Sequence, residues 1–187
     1  MKIICCGCGK DLGEKPSDPS KADLVSHGFC DGCFHHFMAQ MGMSLPEYLE
    51  GINVPVVVVT RERTISFANS SAQALLGKTP AQIQGHLGGE VFECEYARLP
   101  EGCGNAVHCS GCVIRNTVLD TLKTGNAHER IPSVLKQHDA GGTHDLDLLI
   151  STEKKGGVVF LRIDSIHEAA PTNDSTLSTE GAPSAEK

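Results

Sequence analysis

The chain has 187 residues, 40% of them hydrophobic but only 4% aromatic, with no tryptophan and a formal net charge of −7. That charge divides as −3 over residues 1–50 (four Lys against seven acids), −1 over 51–167 (eleven bases against twelve acids) and −3 over 168–187 (one Lys against four acids). No stretch supplies the positive field that phosphate contacts need, which argues against nucleic acid as a direct partner.

The opening "MKIICCGCGK" has an apolar run of four residues before Gly7, where a secretory core needs roughly 7–15. "VPVVVV" is far below the roughly 18 apolar residues that span a bilayer. A cytoplasmic protein without membrane attachment is expected. In a reducing compartment, thiols at CxxC spacing serve as metal ligands or redox groups more often than as disulfide staples, and nine cysteines is an odd number.

Residues 1–43 carry Cys5 and Cys8, then twenty-one residues, then Cys30 and Cys33. Their apolar content is thin, and Phe34, Phe37, Met38 and Met41 have the spacing of one short helix after Cys33. A unit this small needs a metal or disulfides to fold. Two CxxC pairs can present four thiolates to one Zn²⁺, so the segment resembles a zinc-ribbon module with a structural zinc. Cys6 reads as a spectator inside the first pair, His35 and His36 as solvated helix residues, and His27 as a loop residue without a role.

"SLPE" (44–47) has the grammar of a helix start, with Ser44 as cap and Glu47 three residues on. Residues 44–52 are therefore a connecting helix ending at Gly51. From 53 the pattern changes. "VPVVVVT" and "TISFAN" read as strands around a polar "RER" turn. "SSAQALLG" and "KTPAQIQG" read as two short helices stopped by glycine, the second capped by Thr79 with Pro80 at its first position. "CVIRNTVLDTLKTG" is a longer helix with Ile114, Val118 and Leu122 on one face, closed by Gly125. "ERIPSVLKQ", "HDLDLLIST" and "GGVVFLRIDSI" are three more strands, with "KKGG" (154–157) turning the last hairpin. Five strands with the helices in the middle give an α+β domain over 53–167, an antiparallel sheet with helices on one face. The tail, 168–187, is small, polar and acidic, and is expected to be disordered.

The order of these elements over 53–166, and in particular "VPVVVVTRERTISFAN" with Asn69 closing the second strand followed by "SSAQALLGKTPAQIQG", resembles the PAS domain of signalling proteins. The resemblance implies a five-stranded antiparallel sheet, a pocket between helices and sheet that holds a cofactor or small ligand, dimerisation through the domain, and a protein partner in a signalling pathway. Nothing after 166 reads as an output domain, so no kinase or DNA-binding activity is expected.

Four cysteines fall within "ECEYARLPEGCGNAVHCSGC": Cys94, Cys103, Cys109 and Cys112, separated by eight, five and two residues. Cys109 and Cys112 stand just before the longest helix, whose N-terminus favours thiolate. Under the PAS resemblance they would flank the pocket. Four convergent thiols there could hold zinc or an iron–sulfur cluster; the spacing matches neither type, and reversible disulfides or buried thiols are the alternative. His108 reads as a polar loop residue. No phosphate loop, HExxH or GxSxG is present, and no catalytic residue is assigned. The expected function is a non-enzymatic sensor or regulator responding to redox state, metal or a small ligand. A zinc-stapled adaptor with two structural sites, or a thiol oxidoreductase using Cys109 and Cys112, are the rivals.

Overall fold

The computed structural model describes residues 1–14, 19 and 24–169, so the expected disorder over 168–187 falls, from 170 on, outside the described residues. The first module contains strands β1 (Lys2–Cys5), β2 (Asp11–Glu14) and β3 (Val25–Gly28), then helix α1 (Asp31–Met41). β1 pairs antiparallel with β2 and parallel with β3. The second CxxC does not precede the helix, contrary to what the spacing after Cys33 implies. It opens a helix, with Cys30 as N-cap and Cys33 in the first turn. These three strands carry no sequence signal because KIIC, DLGE and VSHG are short and lack the β-branched run that marks β4.

Helix α2 (Leu45–Glu50) starts with the expected capping box: Glu47 N–H donates to Ser44 Oγ at 3.4 Å, and Ser44 N–H donates to Glu47 Oε2 at 2.6 Å. The sheet of the second domain follows the expected plan, with β4 (Val56–Val59), β5 (Ile65–Ala68), β6 (His128–Asp139), β7 (Gly142–Lys155) and β8 (Val158–Glu168). It is antiparallel throughout, in the order β5-β4-β8-β7-β6. The β7–β8 turn is Gly156–Gly157, with φ of 56° and 87°, a left-handed pair that bulkier residues resist.

Between β5 and β6 lie α3 (Ser70–Leu76), α4 (Pro80–Ile83), α5 (Gly88–Val91), two 3₁₀ turns (Glu95–Arg98 and Val107–Gly111) and α6 (Val113–Thr124). Val57, Val59, Ile65, Ile83, Phe92, Val118, Ile150 and Leu161 form the main core beneath these helices. The opposite face has its own cover: Leu49 of α2 packs, fully buried, on Val56, Val58 and Phe160. This follows from β4 itself, where all four valines are buried and successive side chains point to opposite faces. The helical layer is thus on one face as expected, with α2 added on the other.

Asn69 ties these pieces together. It is fully buried and caps α3, its Oδ1 accepting from Ala72 N–H and Val56 N–H, both at 3.0 Å. Its amide donates to the carbonyls of Leu49 (3.2 Å), Ile52 (2.9 Å) and Val54 (2.9 Å). One side chain thereby satisfies the chain leaving α2, the start of β4 and the start of α3.

Candidate functional site

The four sulfurs of Cys5, Cys8, Cys30 and Cys33 all lie within 4.8 Å of one another. Cys8 and Cys30 Sγ are 3.7 Å apart, matching the edge of about 3.8 Å for a tetrahedron with 2.3 Å zinc–sulfur bonds. The loops are folded to feed these sulfurs with donors. Cys30 N–H donates to Cys5 Sγ (3.2 Å) and Cys33 N–H to Cys30 Sγ (3.5 Å). Gly7 is a glycine for a local reason, since a Cβ there would stand 2.9 Å from Cys33 Sγ. The Cys30 N–H bond holds the Cys5 thiol down to about 6, whereas the adjoining Cys30 and Cys8 sulfurs push Cys33 up to about 12. Four crowded thiols cannot all ionise unless a cation sits among them. Cys6, His35 and His36 are exposed and outside the set, and His27 lies on β3 rather than in a loop.

The second set is arranged differently. Cys94, Cys103, Cys109 and Cys112 all line one cavity of about 760 Å³, together with Val57, Phe92, Ile114, Val118 and Leu161 from the sheet and helices. Each is placed by its own local device. Glu93, at φ 55°, turns the chain so that Cys94 N–H meets Gly89 O at 2.7 Å, and the segment is laced to edge strand β6 through Glu93 O to His138 N–H (2.9 Å). Cys103 Sγ accepts from Gly89 N–H (3.3 Å), Cys109 Sγ from Gly104 N–H (3.2 Å), and Cys112 Sγ, the N-cap of α6, from Arg115 N–H (3.5 Å). The Tyr96 and His108 rings stack at 4.2 Å, clasping the Cys94 turn to the Cys109 turn. Burial pushes the Cys94 and Cys103 thiols up, and the nearby cysteines add to it.

Cations also face this space. Arg63, Arg115, Arg130 and Lys136 contribute to the wall, and the Arg115 Nε is buried without a hydrogen-bond partner. Sequence reasoning missed these residues, along with Gly89. An arginine in a polar turn or in a helix carries no mark of where its head group ends, and Gly89 looks like any loop glycine.

The chain is similar in structure to a PAS domain from Desulfitobacterium hafniense, with 14% identity, a TM-score of 0.38 and coverage of 65% of this chain and 98% of that one. It is similar to a LOV protein of Rhodobacter sphaeroides at 19% identity and a TM-score of 0.42, over 68% of this chain and 65% of the other. The photoactive yellow protein domain of the sensor histidine kinase Ppr from Rhodospirillum centenum gives 15% identity and a TM-score of 0.40, over 67% and 96%. No protein-family model matches the chain, and no curated protein matches it. Among the described residues, no helix is long and apolar enough to cross a membrane.

Proposed function

We propose that this is a non-enzymatic PAS-like sensor, with a structural zinc module at its N-terminus and a cysteine-lined cavity as the sensing site. One observation carries the reading: four cysteines from the 94–112 segment open onto a single cavity, and the last of them caps α6. A change in what the thiols hold, or in their oxidation state, therefore acts directly on the first turn of the helix that covers the sheet. Helix α6 is tied onward to β7 by a buried Thr121–Thr152 hydroxyl pair at 2.7 Å and by Lys154 Nζ donating to Leu122 O at 2.6 Å. The output is a protein–protein contact, made as a homodimer or with a signalling partner in the cytoplasm, and neither nucleic acid nor membrane is engaged directly. Zinc is the metal assigned to Cys5, Cys8, Cys30 and Cys33, on the tetrahedral match of the sulfur spacing.

The test is amide hydrogen exchange on full-length protein prepared anaerobically, then oxidised or metal-stripped. Exchange over residues 94–124 should differ between the states. Identical exchange in all three would overturn the sensing role, and rapid catalytic turnover of a dithiol substrate would favour an oxidoreductase instead.

A further inference from the structure

The two cysteine sets differ in one measurable respect. In the module, four sulfurs crowd within 4.8 Å, as one ion demands; among the described residues no other trio of cysteine, histidine or acidic groups is so tight. No three sulfurs of Cys94, Cys103, Cys109 and Cys112 come so close, whereas sulfurs sharing a single zinc stand about 3.8 Å apart. Yet they are set as ligands. Three of the four sulfurs accept a backbone N–H, the kind of bond that stabilises and tunes thiolate-held clusters. The space a Cβ of Gly89 would fill is taken by Cys103 Sγ, at 2.7 Å, so the loop is shaped around that sulfur.

The charges fit a larger anionic group. Two guanidinium groups converge on Gly104, where a Cβ would lie 2.7 Å from Arg63 Nη1 and 3.7 Å from Arg115 Nε. Gly104 is also the residue whose N–H binds Cys109 Sγ. The buried Arg115 Nε has no partner of its own. Four thiolates on a four-iron, four-sulfide core carry a net charge of about −2, and such a core is larger than a single ion.

We propose that Cys94, Cys103, Cys109 and Cys112 hold a cubane iron–sulfur cluster, one cysteine to each iron, and that Arg63 and Arg115 offset its charge. This rests on reading the cavity as the sensing site.

The experiment uses full-length protein made and purified without oxygen, with iron, acid-labile sulfide and zinc determined together. About four irons and four sulfides per chain are expected, beside about one zinc, with a broad visible absorption that bleaches on reduction. Serine at any of the four cavity cysteines should remove iron and sulfide while zinc stays, and Cys5→Ser should do the reverse. Retained zinc reports that the serine variants are folded. Arg63→Gln and Arg115→Gln should keep the iron but move the cluster to a more negative reduction potential, because a cation favouring the reduced state is gone. About two zincs per chain with no sulfide would overturn the cluster yet leave the cavity reading standing. Neither metal nor sulfide in this domain, with four serine variants behaving as wild type, would overturn both.

Discussion

Cys30 and Cys112 do the same job in two different settings: each is the N-cap of a helix, with its Sγ 3.5 Å from the N–H three residues on, that of Cys33 and that of Arg115. The first turn of a helix has N–H groups with no intrahelical acceptor and a partial positive charge, so both are well placed to stabilise a thiolate. In the proposed sites, metal binding and helix initiation are thereby joined in a single atom.

A serine in place of Cys112 therefore keeps the cap and loses the ligand, whereas alanine loses both. Compared in their metal-free forms, Cys112→Ala should be less stable than Cys112→Ser by about 1 kcal/mol. Urea unfolding of the two variants measures it, and equal midpoints would show that a side-chain cap at position 112 adds nothing to α6.

At the first site, Cys5→Ser or Cys33→Ser should release about one equivalent of zinc. Residues 1–43 have little else to hold them, since Cys5, Phe34 and Met38 are the buried apolar residues described there. Limited proteolysis should then cut within the module and spare the sheet domain. A variant that loses zinc and resists protease as wild type does would show that the module folds without metal.

Asn69→Leu fills a similar volume but strips five hydrogen bonds from backbone groups, two N–H and three C=O. Several of these are buried and would be left unsatisfied, at about 1–3 kcal/mol each. A loss of about 3 kcal/mol or more is expected in denaturant unfolding, with metal content at the N-terminal site unchanged. A loss under about 1 kcal/mol would mean that water or a shifted loop replaces the amide.

The parts of this structure legible in the sequence are those built from local rules. β4 to β8 follow from β-branched runs and alternation, α2 from the capping box at Ser44, α4 from Thr79 as cap with Pro80 at its first position, and the β7–β8 turn from its glycine pair. The tight grouping of Cys5, Cys8, Cys30 and Cys33 follows from their CxxC spacing. What escaped depends on tertiary placement. Asn69 is legible only as the end of a strand, because four of its five partners lie thirteen to twenty residues away. The strands of the first module are short and lack the β-branched run that makes β4 legible at the same length. That no three sulfurs of the second set come within 4.8 Å of one another, unlike those of the first, depends on tertiary placement that no sequence spacing encodes.

Gly88 and Gly89 make a matched pair of probes for that second set. A Cβ on Gly88 meets nothing within 4 Å, whereas one on Gly89 meets Cys103 Sγ at 2.7 Å, Cys103 Cβ at 3.2 Å and Ala97 Cβ at 3.3 Å. Gly88→Ala should be silent, or slightly stabilising at the first helical position of α5. Gly89→Ala should displace the Cys103 thiol and lower metal occupancy of the cavity site several-fold, with zinc at Cys5, Cys8, Cys30 and Cys33 intact. Equal occupancy in the two variants would show that Cys103 is not a ligand.

Lys155 is where the N-terminal module meets the sheet. Its Nζ donates to the carbonyl of Phe29, one residue before Cys30, at 3.5 Å, and lies 5.7 Å from the centre of the Phe34 ring. Beside it, His35 sits over Gly156, where a Cβ would come within 2.8 Å of its Nε2. The β7–β8 turn is thus pressed against the start of α1, and Lys155 is steadied there by Glu153 at 2.7 Å. Lys155→Met keeps the apolar stem and removes the donor and the charge, an expected loss of about 1 kcal/mol. Zinc should stay bound, because no ligand is touched. Amide exchange should rise in two stretches distant in sequence, 29–35 and 156–160, while α2 holds its place through the buried Leu49. A rise confined to the hairpin would show that the module does not depend on the sheet for its order, and that the two halves of the chain are joined through α2 alone.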